Sequence, residues 1–337
     1  VKHYVGLDVS LKETHVCVID EAGDIVHEGK AASEPDALDQ HLSKLGLDVT
    51  LIGLEAGQLS SWLVGDLMTR NWPIICVESR HMSTALKAQR IKTDRNDARG
   101  IAHMMRTGWY KAVHVKSAFN QKRRVLLVNR KWLIGKRTGI TNQIRGTIRS
   151  FGYKMGQTSG PRFEARVLEL LENDPELLTY VQPMLRMRQS VRAELEALDA
   201  MLLDMVRSDP VCRRLMTIPG IGPINALAFV TAIDNPHNFA KSQSVGAFLG
   251  LTPSKYASGE LDRNGGITKC GDAMVREYLF EAAQTLLTRV RKPMPIRAWA
   301  ARIAKRSSTK KAVVALARKL SIIMHRIWID GTEYQPT

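Results

Sequence analysis

Tyr4-Val5-Gly6-Leu7-Asp8-Val9, Thr14-His15-Val16-Cys17-Val18-Ile19 and Ile25-Val26-His27-Glu28-Gly29-Lys30 are three short runs separated by polar residues. The first alternates over residues 2–9 as a half-buried strand does, and the second repeats the pattern. Glu21-Ala22-Gly23-Asp24 supplies a turn, and the third run returns, so the chain opens as a three-strand meander. The order then changes. Ser33, with Glu34 and Pro35 behind it, marks a helix start for about 34–46. Val49 to Leu54 read as a fourth strand, 59–70 as a helix and Pro73 to Val77 as a fifth strand. Helices follow near 79–90 and 94–107. A meander followed by alternating helices and strands is the order of an RNase H-like (RuvC-like) α/β fold with a mixed sheet. A Rossmann domain would alternate from the start and carry a glycine-rich first turn.

Acidic residues mark the ends of these elements. Asp8 closes the first strand and Glu55 follows the fourth. Asp94 and Asp97, in Lys92-Thr93-Asp94-Arg95-Asn96-Asp97-Ala98, are three apart and share one face of a helix. Any one of them alone reads as a solvated strand end or a helix-surface acid. Four in this order can gather oxygen ligands around Mg²⁺ or Mn²⁺, and paired ions suit in-line displacement at phosphorus. Asp8 shares a strand face with Tyr4 and Gly6, and Gly6 leaves room for a close approach. Asp20, Asp24 and Glu78 are expected to be surface or turn residues.

The net charge of +16 points to a polyanionic partner, and it is unevenly spread. Residues 1–116 carry −1, residues 117–250 +8 and residues 251–337 +9. No amphipathic segment has the aromatic apolar face that surface insertion needs, and no long apolar run suits a membrane span. The N-terminus runs straight into strand-like sequence without a signal-peptide layout. Cys17, Cys76, Cys212 and Cys270 are isolated singles, which suit a reducing cytoplasm.

From Ser117 the texture changes. Residues 117–155 hold ten Lys or Arg and no Asp or Glu, with apolar residues at roughly helical intervals. Residues 161–207 form a second helical stretch, and Gly156 to Pro161 a turn between the two. Together they are expected to form an antiparallel coiled-coil arm. Arg123, Arg124, Lys131 and Arg137 on that arm are candidate nucleic-acid contacts. Leu215 to Ile233 has the look of a helix-hairpin-helix, in which Gly220 and Gly222 let backbone amides face a phosphate. The stretch 252–268 reads as a polar, glycine-bearing loop displaying Ser258, with Lys269 and Arg276 as candidate phosphate clamps. From spacing alone a loop serine is polar surface, and nothing local supplies a Ser-His-Asp set. The remainder, 270–329, reads as helical and basic.

Taken together, Gly6-Leu7-Asp8-Val9-Ser10, Glu55, Lys92 to Ala98, Ile218-Pro219-Gly220-Ile221-Gly222 and Tyr256-Ala257-Ser258-Gly259 with Gly266-Ile267-Thr268-Lys269-Cys270-Gly271 resemble the DEDD transposases of the IS110 insertion-sequence family, relatives of the Piv DNA invertases. The resemblance spans nearly the whole chain and keeps the family's order. It implies a RuvC-like catalytic domain over 1–116, a basic helical connector over 117–208 and a C-terminal transposase domain over 209–337. It also implies a catalytic tetrad of Asp8, Glu55, Asp94 and Asp97 holding Mg²⁺ or Mn²⁺, and Ser258 as nucleophile. The partners it implies are donor and target DNA, a guide RNA encoded by the element, and a homodimer or homotetramer acting in the prokaryotic cytoplasm at the nucleoid. One departure is visible: Glu55-Ala56 is followed by Gly57-Gln58 where the family usually has Thr-Gly. A RuvC-like junction-resolving nuclease and a non-catalytic nucleic-acid-binding protein are the alternative readings. A protein–DNA ester trapped on a denaturing gel separates the first from a recombinase, and metal-independent binding without scission marks the second.

Overall fold

The opening meander and the strands after it form one six-stranded mixed sheet. The structure, a computed structural model, describes the chain apart from residues 80, 81, 83–92, 259, 260 and 337, with backbone alone for 257, 258, 261, 262 and 264. Strands β1 (His3–Val9), β2 (Glu13–Asp20) and β3 (Ile25–Ala32) pair antiparallel in sequence order. Strands β4 (Val49–Glu55) and β5 (Ile74–Val77) add parallel to β1, and β6 (Ala112–Val113) closes the edge antiparallel. The order across the sheet is β3-β2-β1-β4-β5-β6. Helices α1 (Pro35–Lys44) and α2 (Ser60–Thr69) cover one face, where Leu38, Leu42, Leu63, Val64 and Leu67 bury against Val5, Leu7, Ile52 and Leu54.

The other face belongs to α3 (Asp94–Thr107), whose position sets the candidate site. Thr93 caps its start, its hydroxyl accepting from the Asn96 amide at 3.2 Å, and Gly108 ends it in the left-handed conformation at φ 69°. Ala98, Ile101, Ala102 and Met105 recur at the helical period and are buried. They land on two glycines. A Cβ at Gly6 would stand 2.0 Å from the Ala98 carbonyl oxygen and 2.5 Å from the Ala102 amide, and one at Gly53 would meet Met105 Sδ at 2.4 Å. Backbone therefore rides directly on backbone here. Gly6→Ala is expected to push α3 off the sheet and to destabilise the protein by about 3 kcal/mol or more. A melting temperature unchanged within a few degrees would contradict that.

Two sequence expectations change in this region. Ser33 does not cap α1; its buried hydroxyl donates to the Ser10 carbonyl at 2.8 Å and sits 2.8 Å from Thr14 Oγ1, tying down the β1–β2 turn. The helix expected near 79–90 lies outside the described residues but for Ser79 and Met82.

Contacts divide the chain into two compact units, Val1–Ala118 and Phe119–Thr337. In the second, helices α4 (Ala118–Ser150) and α6 (Pro175–Ser208) run antiparallel. Arg130 Nε reaches Asp199 at 2.5 Å and Arg188 Nε reaches Thr141 Oγ1 at 3.0 Å, so residues advance on one helix as they retreat on the other. At the far end, α5 (Arg162–Leu170) packs Phe163 and Val167 against Ile144, Ile148, Leu177 and Val181. The expected single stretch 161–207 is thus two helices. Asp174 starts the second, accepting from the Leu177 amide at 3.1 Å with Pro175 behind it.

The base of this unit is a helical core around α8 (Pro223–Ile233), eight of whose eleven residues are buried. Packed with it are α7 (Pro210–Leu215), α9 (Gln243–Phe248), α10 (Ala273–Thr288), α11 (Pro295–Arg306) and α12 (Thr309–Asp330). The expected loop at 252–268 is instead a hairpin of β7 (Pro253–Ser258) and β8 (Leu261–Ile267). Its described side chains are mostly exposed, so no apolar alternation announced it. Among the described residues no helix is long and apolar enough to cross a membrane.

Candidate active site

Strand register decides which acids meet. Gly6 and Gly53 are partners across β1 and β4, and both face α3. Two residues further along, Asp8 and Glu55 therefore stand side by side on that same face, at the ends of adjacent parallel strands. On the other side of β1, His15 is directly opposite Asp8. The first turn of α3 comes down over this corner. Asp94 is exposed, and its Oδ2 lies 3.8 Å from His15 Nε2. Asp97 is only 9% exposed, and its Oδ1 is buried without a hydrogen-bond partner among the described residues. A pocket of about 280 Å³ opens at the same corner, lined by Asp8, Ser10, Glu55, Gly57, Gln58 and Ser60 among others. Where the family usually has threonine, the Gly57 amide donates to Ser60 Oγ at 3.0 Å.

The donor set at this corner is oxygen from four carboxylates, the chemistry that Mg²⁺ and Mn²⁺ take. Among the described residues no three His, Cys, Asp or Glu side chains stand close enough to hold an ion. Asp8 and Glu55 stand side by side, Asp94 lies beside the register partner of Asp8, and the four acids do not close on a common point. An orphaned buried carboxylate oxygen is costly unless something cationic completes it, so Asp97 Oδ1 is the group of this set whose chemistry would suit a divalent ion.

Sequence reasoning passed over the groups that brace this corner. Glu28 on β3 accepts from Arg95 Nε at 2.9 Å and from Arg99 Nη2 at 2.8 Å, and both arginines make a second contact to the same carboxylate. Those hydrogen bonds hold its pKa down at about 2. Glu28 and Arg95 are 67 residues apart, so no local pattern signals the pair. His15 was legible in principle, since a tight β1–β2 turn puts it opposite Asp8.

The proposed nucleic-acid contacts fare differently from one another. Arg123 is 4% exposed and its Nη2 pairs with Asp209 at 2.6 Å. Burial opposes ionisation of Asp209, but the amides of Cys212 and Val211 and the Arg123 guanidinium outweigh it and lower its pKa. Arg124 pairs with Asp272 and Lys131 with Glu277. These three cations hold α4 to the rest of its own unit, so each proposed nucleic-acid contact among them already has an acidic partner. Arg137 has no acidic partner among the described residues. Arg123→Ala is expected to cost about 3–5 kcal/mol of stability by stranding Asp209, measured by denaturant unfolding. Loss of nucleic-acid affinity at full stability would contradict it.

In the C-terminal part, Gly220 has φ 90°, and a Cβ there would meet the Ala282 carbonyl oxygen at 2.9 Å. Helix packing requires that glycine. Gly222 stands at the N-cap of α8. Arg276 Nη1 donates to the carbonyls of Leu249 at 3.0 Å and Cys270 at 2.6 Å, so it locks the hairpin base rather than standing free. Lys269 is exposed at φ 55°. Ser258 ends β7, paired with Leu261 across the turn.

Two family models match this chain, and together they cover well over half of it. A DEDD transposase model of the IS110 type matches residues 5–152, and the IS116/IS110/IS902 transposase family model matches residues 212–299. The chain belongs to the IS110 family of transposases. It is 28% identical to the transposase for insertion sequence element IS1111A of Coxiella burnetii, over 94% of this chain and 86% of that one. To the y4pF/y4sB protein of Sinorhizobium fredii it is 31% identical, over 73% and 65%. To the transposase for element IS1328 of Yersinia enterocolitica it is 29% identical, over 60% and 61%. The DEDD match runs across Asp8, Glu55, Asp94 and Asp97 and into α4, and the second match takes in the β7–β8 hairpin that carries Ser258.

Proposed function

We propose that this IS110-family transposase is a DNA recombinase whose residues 1–116 form an RNase H-like catalytic domain. The reading is supported by Asp8 and Glu55 at the ends of adjacent parallel strands, by Asp94 beside His15, and by an Asp97 oxygen that is buried without a hydrogen-bond partner among the described residues. These four residues would hold Mg²⁺ or Mn²⁺. When bound, the ions would supply Lewis-acid polarisation of the scissile phosphate. A basic helical connector over 117–208 and a C-terminal transposase domain over 209–337 complete the proposed division.

Ser258 is the proposed nucleophile. Its Oγ attacks the phosphorus, the P–O3′ bond breaks, and the hydroxyl proton is passed on to the departing 3′ oxygen. The product is a DNA end esterified to serine and a free 3′-hydroxyl. After strand exchange another 3′-hydroxyl attacks that ester, the new phosphodiester forms and Ser258 regains its proton. One P–O bond is made for each one broken, so no ATP is needed. Ser258 and the acidic tetrad are proposed to act together within a homodimer or homotetramer. The excess positive charge beyond residue 116 supports a nucleic acid as partner; the resemblance to the family implies donor and target DNA and an element-encoded guide RNA, whose base pairing would carry the specificity. Purifying the protein with its nucleic acid, sequencing that nucleic acid and probing for a serine–DNA adduct tests this. Strand scission without any adduct would favour hydrolysis by a junction nuclease instead.

A further inference from the structure

We infer that Glu28 is a positioning residue for the acidic corner, acting through Arg95 and Arg99 to hold the first turn of α3; this rests on the metal-site reading above. Asp94 and Asp97 both lie in that first turn, where a helix has the fewest internal hydrogen bonds and frays most readily. The Thr93 hydroxyl restrains it from one side. Glu28 restrains it from the other, because Arg95 is the residue next to Asp94 and Arg99 is one turn on. Each arginine contacts the single carboxylate twice. Glu28 is itself fixed, since it stands on β3 where Cys17 of β2 is its register partner, and Cys17 packs against Ala98 and Ala102 of α3. The carboxylate is 16% exposed and Arg99 34%, so that half of the grip is partly shielded from solvent, while Arg95 lies outside it.

The chemistry excludes a simple alternative role. With both oxygens taken by guanidinium groups, Glu28 has little capacity left as a metal ligand or proton acceptor. What the arrangement controls is where the first turn of α3 sits relative to Asp8 and Glu55. Groups that orient the carboxylates and imidazoles of a metal site typically govern affinity by about 10–100-fold.

The test is Mn²⁺ binding by the full chain, followed by calorimetry and by the electron spin resonance signal of the free ion. Wild type, Glu28→Gln, Arg99→Gln, the double variant and Asp97→Asn are compared, each with a thermal melt. Glu28→Gln is expected to weaken Mn²⁺ binding about tenfold. Arg99→Gln should do much the same, and the double variant little more than either, because both cut one linkage. A purely structural ion pair would lower the melting temperature and leave affinity unchanged. Wild-type Mn²⁺ affinity in Glu28→Gln, alongside loss of binding in Asp97→Asn, would overturn the inference while sparing the metal site. Undiminished binding in Asp97→Asn would overturn the metal site and the inference with it. Should Glu28→Gln not fold, Arg95→Gln decides, since that side chain is 62% exposed and its loss spares the core.

Discussion

Asp97→Asn is expected to lower divalent-metal-dependent strand cleavage by about a thousandfold or more, while leaving DNA binding within a few-fold of wild type. The size follows from what the ion supplies: several kcal/mol of transition-state stabilisation, each 1.4 kcal/mol being a factor of about ten in rate. Asparagine is nearly the same shape and keeps an oxygen at the position, but it removes the charge that draws the cation. Asp97 is the most informative of the four because its Oδ1 is buried and unpartnered, whereas Asp94 is exposed beside His15. The measurement is single-turnover cleavage of a labelled substrate with Mg²⁺ and with Mn²⁺, with binding followed in the presence of a chelator. Cleavage within tenfold of wild type would remove Asp97 from the chemistry and leave its burial without a functional reason.

Ser258→Ala is expected to abolish the covalent protein–DNA species and to reduce strand joining by on the order of 10⁴ or more, as loss of a nucleophile does elsewhere. The two variants separate the two halves of the mechanism. Asp97→Asn should bind DNA and form no adduct because the phosphate is not activated. Ser258→Ala should form no adduct yet keep its full Mn²⁺ affinity. The readout is a denaturing gel of a labelled substrate, treated or not with protease. If Ser258→Ala still joins strands at the wild-type rate, attack comes directly from water or a DNA hydroxyl. The acidic corner would then stand alone as the active site.

Much of the first unit was legible in the chain. The alternation of Tyr4 to Val9 and of Thr14 to Ile19 located β1 and β2 within a residue or two. The helix expected near 94–107 matches α3 at both ends. Signals of that kind are local, because strand and helix periods appear within a few residues. Long-range pairings leave no such trace. Ser33 looked like a cap and instead fastens the Ser10 turn. The stretch 117–155 holds ten cations and no acid, but Arg123, Arg124, Arg130 and Lys131 each found an acid 69 to 148 residues away; the separations for Arg130 and Lys131 are 69 and 146. The hairpin ending in Ser258 was missed because exposed strands need no apolar alternation.

The sequence by itself determined the order of elements, the acids at their ends and the family, since residue type and spacing carry all three. Only the tertiary structure decided that Gly6 and Gly53 let α3 ride against the sheet, and that its first turn lies beside His15, the register partner of Asp8. It also decided which cations are spent inside the protein. Both outcomes depend on register and on close packing between residues far apart in the chain, and those are set when side chains compete for space and partners in the folded state.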